Sequence, residues 1–294
     1  MSMESSGEFN RLHYKYWPDR AIGELLSKNW METAVPLLVL VLVIAVFSSL
    51  VENFLSFSTI AGFLREGSEL GFIVLGQAIV LIVGGIDLSV GSIYAICNVL
   101  VLYLVHVQEW SVASSIVVTL LVGAALGAVN GVLIGYLKLQ VFLTTLVTQI
   151  VLRAIYNLIQ FKWAVGIAST LPESNLWDYL GSGKMLSLPI ATWIFAVVVV
   201  GFHLFLTRMR GGWRLLAVGG SRRSAYNSGL PVNRIAALAY VASGVFAGVA
   251  AVLFAARVDS SSADTGLGLE IVVLAAALLG GIRLGGGGHA VFQT

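Results

Sequence analysis

The stretch Gly84-Gly85-Ile86-Asp87-Leu88-Ser89-Val90-Gly91-Ser92 sets a carboxylate, two hydroxyls and three glycines between two long apolar runs. Adjacent glycines permit backbone geometry that other residues resist. Asp87 and Ser89 are placed to cap the helix that follows, accepting bonds from its free N–H groups. A carboxylate at that end also suits the positive pole of the helix dipole. Within an apolar region an ionisable group is costly unless paired or wetted. Asp87 therefore reads as a helix cap, as the polar lining of a route through the protein, or as both.

Further polar residues sit inside apolar runs: Gln77, Asn98, Asn130, Thr144, Thr145, Gln149, Arg153 and Asn157. Amides and hydroxyls suit hydroxyl-rich solutes, and they are equally common as bonds between helices. Arg153 either reaches outward along its apolar stem or pairs with a carboxylate. Candidates for a substrate pathway are Gln77, Asp87, Ser89, Asn98, Asn130, Arg153 and Glu270.

The elements that must position these residues follow from composition. Of the 294 residues, 58% are hydrophobic and 11% charged, with a mean hydropathy of +0.92. A soluble chain of this length needs more polar surface. The apolar runs are continuous and about twenty residues long, which suits membrane helices rather than the alternating strands of a barrel. Eight stand out: Thr33–Leu50, Leu70–Val83, Ser89–His106, Ser111–Leu137, Val141–Gln160, Pro189–Thr207, Ile235–Ala256 and Leu269–Ile282. The expected fold is all-α, polytopic and transmembrane, with about 8 spanning segments. Thr59–Arg65 is amphipathic and too short to span, so it reads as a separate re-entrant or interfacial helix. Small residues crowd two runs, at Gly123, Ala124, Ala125, Gly127, Ala128 and Gly131 and at Gly244, Ala247, Gly248, Ala250 and Ala251, as close helix packing requires.

Charge sets the expected orientation. The segment from Arg208 to Arg234 holds Arg208, Arg210, Arg214, Arg222, Arg223 and Arg234 and no acidic residue. Basic loops stay in the cytoplasm. Six crossings back, the N-terminal segment with Arg11, Lys15, Arg20 and Lys28 falls on the same side. The loop Phe161–Leu188 then faces outward. Residues 1–32 read as a cytoplasmic N-terminal segment and residues 33–294 as the transmembrane domain. No cleavable leader is expected at the polar start, which carries Tyr14, Tyr16 and Trp17.

Several chemistries are excluded. Cys97 is the single cysteine, so no disulfide framework exists. His13, His106, His203 and His289 are scattered, and no metal site is expected. There is no Walker-type loop, no G-x-S-x-G elbow and no nucleophile–base pair. Gly285–Gly288 lacks the lysine and hydroxyl that phosphate binding needs and reads as a tight turn. The chain is thus no enzyme by its motifs, and nothing suggests nucleic acid as a partner.

The run Gly84–Ser92 resembles the signature of bacterial permeases that import monosaccharides, among them the ribose, xylose, arabinose, galactose and autoinducer-2 systems. Its members here are Gly84, Gly85, Asp87, Ser89, Gly91 and Ser92. Gln77 matches a position usually held by Gln. Thr145-Leu146 and Arg153 resemble the next motif, with Ala154 in place of the usual glycine. Arg214, Ala217-Val218-Gly219-Gly220, Ala225 and Ser228-Gly229 resemble the cytoplasmic loop that meets the ATPase, with Ser221 where asparagine is usual. Gly268-Leu269-Glu270, Gly280-Gly281, Leu284 and Gly286-Gly287 resemble the late motif, with Val272 in place of an acidic residue and Arg283 and His289 in place of small ones. The likeness covers residues 54–294.

That resemblance implies about ten membrane segments in a complete subunit, hence further segments beyond Thr294. It implies an inner-membrane permease in a homo- or heterodimer, a cytoplasmic ABC ATPase that carries ATP and magnesium, and a periplasmic sugar-binding protein. This chain would then hold no cofactor. It also implies an ATPase-coupling loop at Arg214, Gly219, Gly220, Ser221, Ala225, Ser228 and Gly229. Ser224 is placed to cap a short helix beginning near Ala225, with Gly229 and Pro231 ending it. Two other functions remain open on the residues alone: a secondary transporter driven by an ion gradient, and a structural subunit that transports nothing.

Overall fold

The computed structural model describes residues 29–169 and 174–282, with side chains from residue 37 onward. The N-terminal basic and aromatic residues, the Gly285–Gly288 turn, Arg283, Leu284, His13 and His289 lie outside the described residues. The chain divides into two compact units, residues 1–55 and residues 56–294. In the first, helix α1 covers Asn29–Leu50.

The second unit is a helical bundle. It comprises α2 (Phe57–Ile82), α3 (Val90–Leu102, continued as a π-helical turn over Tyr103–Val107), α4 (Val112–Gly135) and α5 (Val141–Ser169). Then come α6 (Asn175–Ser182), a two-stranded antiparallel hairpin β1 (Lys184–Met185) and β2 (Leu188–Pro189), and α7 (Ile190–Arg208). Two short helices, α8 (Arg210–Gly220) and α9 (Arg222–Asn227), precede the long α10 (Val232–Val258) and α11 (Leu269–Leu279). Serines open several of these helices. Ser56, Ser111, Ser174 and Ser221 each accept a bond from the N–H three residues on, satisfying a donor that the first turn leaves free.

Five helical segments are long and apolar enough to cross a membrane: Val90–Val107, Val112–Gly135, Val141–Ser169, Ile190–Arg208 and Val232–Val258. Leu37–Leu50 and Leu269–Leu279 are apolar but shorter. Thr59–Arg65, expected to stand alone, is continuous with Leu70–Ile82 in the 26-residue α2. The intervening Glu66-Gly67-Ser68-Glu69 lowers hydropathy without breaking the helix, because its polar groups find partners. Ser68 donates to the carbonyl of Leu64. Glu69 takes a two-pronged bond from Arg257 of α10, Nε to Oε1 at 2.8 Å and Nη2 to Oε2 at 2.9 Å.

α3 is the central helix, with 83% of its spanning window buried, whereas 17% of the α7 window is. Along α4, glycines recur every four residues at 123, 127, 131 and 135, and each meets the backbone of α10. A Cβ at Gly123 would lie 2.5 Å from the carbonyl oxygen of Gly244, one at Gly131 2.6 Å from that of Ala237, and one at Gly135 2.7 Å from that of Asn233. Nothing larger than glycine fits this crossing, which is how a membrane helix pair gains close packing without a hydrophobic driving force. The small residues of Ala247, Ala250 and Ala251 carry the same face of α10 into the main core beside Val90, Ile93 and Cys97.

Candidate functional site

Val83–Ser89 is a break between α2 and α3. Gly84 has φ +75°, a left-handed backbone that glycine accepts at little cost. The Gly84 and Gly85 amides fold back on the carbonyls of Leu81 and Val80. A Cβ at Gly85 would lie 2.6 Å from the Tyr240 hydroxyl. The chain therefore turns tightly against α10 and delivers Asp87 into the protein interior.

Asp87 is fully buried, and both of its oxygens are used. Oδ1 accepts the Ser89 amide at 3.0 Å and the Ser89 hydroxyl at 2.6 Å. Oδ2 accepts the Ser243 hydroxyl of α10 at 2.9 Å. Asn130 of α4 donates Nδ2 to the Ser89 hydroxyl at 2.7 Å, and its Oδ1 accepts from Thr148 of α5 at 2.8 Å. Gln77 of α2 brackets the Asp87 backbone, donating to its carbonyl at 3.1 Å and accepting from its amide at 3.3 Å. α2, α4, α5 and α10 thereby meet at the Asp87 segment, with Ser89 and Ser243 bonding the carboxylate itself.

This differs from simple capping. Ser89 is the residue before α3, but it caps no helical N–H. Its hydroxyl is drawn instead to Asp87 and Asn130, since a buried carboxylate and amide outcompete a donor that the helix can leave to its own carbonyls. Asp87 holds the amide just before the helix. Gln77, Asp87, Ser89, Asn98 and Asn130 are all essentially inaccessible to solvent. The Asn98 carboxamide has no hydrogen-bond partner among the described residues.

Gly91 and Ser92 tie the break to the late part of the chain. A Cβ at Gly91 would lie 2.5 Å from the Gly266 carbonyl and 2.7 Å from Oε2 of Glu270. Ser92 donates to the carbonyl of Gln149 at 3.0 Å. Gln149 in turn donates to Oε1 of Glu270 at 2.6 Å, while Oε2 has no partner among the described residues. Arg153 points to the same region. Its Nη1 donates to the Thr265 carbonyl at 2.7 Å and its guanidinium stacks on Tyr156.

The arginine-rich segment holds two helices, of which sequence suggests only the second. Ser221, not Ser224, caps α9, which begins at Arg222 rather than near Ala225. The acceptor is Ser221 Oγ, 3.2 Å from the Ser224 amide. Gly229, at φ +78°, ends it, with Ser228 between. Ala225 is buried in a core cluster with Val83 and Tyr240, so it anchors α9 rather than facing outward. Arg214, Gly220, Ser221, Ser228 and Gly229 are exposed, and Gly219 is half-buried. Arg222 reaches the break itself, donating Nη2 to the Val83 carbonyl at 2.9 Å. In sequence Arg222 is one of six loop charges, and no pattern singles it out.

An apolar cavity of about 390 Å³ lies between α2, α7 and α11, lined by residues such as Leu75, Phe195, Phe202 and Ala276. Its walls offer nothing to a polar solute. Among the described residues no three His, Cys, Asp or Glu side chains gather in a group able to hold a metal.

An apolar helical bundle with five helices long enough to cross a membrane, and a buried polar junction at the break between α2 and α3, defines a polytopic membrane protein. The chain belongs to the family described as the permease component of the branched-chain amino acid transport system, whose profile matches residues 59–291. It is 31% identical over 268 residues to the ribose import permease protein RbsC of Escherichia coli K12, covering 91% of this chain and 83% of that one. It is 34% identical over 273 residues to the L-arabinose ABC transporter permease protein AraH of Azospirillum brasilense, covering 92% and 77%. It is 32% identical over 265 residues to the D-allose transport system permease protein AlsC of Escherichia coli K12, covering 87% and 77%. No solved structure matches the chain.

Proposed function

We propose that this chain is the membrane-spanning permease subunit of an ATP-driven monosaccharide importer. The carrying observation is likeness over 87–92% of the chain to permeases whose names specify ribose, L-arabinose and D-allose transport, in a chain whose family signature forms the buried junction around Asp87. The family's description names branched-chain amino acids, but those relatives share a sugar cargo. The junction also argues against ion coupling. Both Asp87 oxygens are engaged by the protein's own hydroxyls and amide, which leaves no open carboxylate ligand for a coupling ion in this arrangement.

In this reading the chain pairs with a second permease subunit, identical or related. ATP and magnesium belong to a separate ABC ATPase on the cytoplasmic side. A periplasmic binding protein delivers the sugar to the inner membrane. Eight segments cross the bilayer, with α1, α2 and α11 added to the five above, and the N-terminus and the Arg208–Arg234 segment are cytoplasmic. α9 is the element that meets the ATPase, and its outward groups are Arg223 and Tyr226, both exposed. The test is uptake of labelled D-ribose, L-arabinose and D-allose into proteoliposomes holding the chain with its neighbouring ATPase and binding protein. Uptake of one of the three that requires internal ATP and ignores ionophores supports the reading. Uptake abolished by ionophore and indifferent to ATP overturns it.

A further inference from the structure

Between α10 and α11 the chain is irregular from Asp259 to Gly268. This strip is a run of small and polar residues, Asp259-Ser260-Ser261-Ser262-Ala263-Asp264-Thr265-Gly266-Leu267-Gly268. It lies between two apolar runs, where a surface loop would be the ordinary expectation. Its hydrogen bonds place it elsewhere. At one end Asp259 accepts from the Trp177 indole at 2.7 Å and meets His106 at 3.2 Å. It then descends along α5 in reverse order. Gln160 donates to the Ser261 carbonyl at 3.3 Å, Tyr156 to the Ser262 carbonyl, and Arg153 to the Thr265 carbonyl. Gln149 donates to Glu270. Arg153 falls near the middle of the 29-residue α5, about 18 Å along the axis from its start. If α5 crosses the bilayer, the strip thus runs down to about the middle of that helix, where Gly266 packs on Gly91 at the start of α3.

Irregular backbone at that depth is tolerated only where protein buries it or where it lines a water-filled cavity. The described residues do not bury this one. Ser262, Ala263 and Asp264 are exposed, while Thr265 and Gly266 beside them are buried. The Asp264 carboxylate has no hydrogen bond or ion pair among the described residues. The lipid-type surface of the same helix α5 is different in kind: Leu158, Phe161 and Val165 are 74%, 86% and 78% exposed. A bare carboxylate cannot share that apolar environment without a large penalty.

We propose that Ser262–Asp264, with Arg153 behind them, form the wall of the aqueous sugar path at mid-membrane, resting on the permease reading above. The chemistry fits a neutral polyhydroxyl solute. The carboxylate of Asp264 and the hydroxyl of Ser262 accept or donate to sugar hydroxyls, and no charge on the cargo is needed. Weak, successive contacts of this kind let a solute pass without trapping it.

The test uses the assembled transporter in membranes, with single cysteines at Ser262, Asp264, Leu158 and Phe161. The parent chain, whose Cys97 is buried, sets the baseline. Reaction with a charged thiol reagent needs a hydrated thiolate, so positions 262 and 264 should react about tenfold or more faster than 158 and 161. An excess of the transported sugar should slow them, and Asp264→Leu should reduce uptake more than Asp264→Asn. Rates at 262 and 264 no higher than at 158 and 161 overturn the proposal, as does unchanged uptake in Asp264→Leu. Either failure, with ATP-dependent uptake intact in the parent, leaves the permease reading standing. A parent whose uptake is abolished by ionophore and indifferent to ATP removes that reading, while the labelling rates still decide whether the strip faces water.

Discussion

At the scale of single residues, Asp87 carries the greatest structural demand. Its three accepted bonds come from groups that are themselves buried, so removing the carboxylate strands the Ser89 amide and the Ser89 and Ser243 hydroxyls together. Asp87→Leu should therefore cost about 2–4 kcal/mol of stability, since each stranded buried donor loses its partner without regaining water. Asp87→Asn keeps an acceptor for Ser89 and can donate to Ser243, so it should cost about 1 kcal/mol or less. Thermal unfolding of both variants in detergent reads the difference. Equal loss in the two would mean that the charge itself is required, and would restore the ion-coupled alternative. The glycine–glycine and acidic character of this stretch was legible in sequence as a helix break. Its partners were partly so. Gln77, Asn130 and Ser89 stand out as polar residues in apolar runs, but Ser243 and Thr148 do not, since a hydroxyl in a membrane helix ordinarily bonds its own backbone four residues back. Thr148 does both, bonding Thr144 and Asn130.

At the scale of elements, hydropathy located helices by their apolar centres and missed what joins them. Glu69 lowers the signal within α2, and its partner Arg257 lies 188 residues away, beyond any local window. α8 went unseen because Arg210, Gly211, Gly212 and Arg214 hide a pattern that buries Gly212, Leu215 and Val218 on one side. The polar strip after α10 carries no periodicity at all, and only its hydrogen bonds to α5 reveal its depth. The contact between α9 and the helix break is likewise invisible in sequence. Arg222 spans it with one bond to the Val83 carbonyl, one residue before Gly84. A displacement of α9 would be delivered directly to the junction that holds Asp87. Arg222→Ala should therefore leave insertion and assembly with the ATPase intact, and retain ATP hydrolysis, while lowering uptake by about tenfold, the loss of about 1.4 kcal/mol from the coupled step. Arg222→Lys should recover only part, because an ammonium cannot reproduce the planar guanidinium reach. Normal uptake in Arg222→Ala would show that α9 acts on the membrane helices by another contact.

At the scale of the whole molecule, the basic segment and the helix count make a joint statement about orientation. Six apolar helices, α1 to α5 and α7, precede Arg208. If all six cross, the N-terminal segment and the Arg208–Arg234 segment share a side, and six arginines without an acidic neighbour assign that side to the cytoplasm. The β1–β2 hairpin between α6 and α7 must then face outward. Both regions expose residues suited to a test: Tyr226 on α9 is 73% exposed and Leu186 at the hairpin is 81% exposed. Single cysteines at these two positions should label from opposite sides of the membrane. Leu186→Cys should react with an impermeant reagent in intact cells from the periplasm, and Tyr226→Cys only after the inner membrane is opened. The comparison is sensitive to the count as well as to the direction. Between the two positions lies one full crossing, α7, whose exposed apolar surface at Val197, Val200 and Leu204 requires lipid or a partner helix around it. Labelling of both from the same side would remove α7 from the crossings and break the parity on which the cytoplasmic placement of the N-terminus depends. Labelling from opposite sides in the reverse sense would keep every crossing and invert the molecule, placing the six arginines against the positive-inside bias and α9 beyond the reach of any cytoplasmic ATPase.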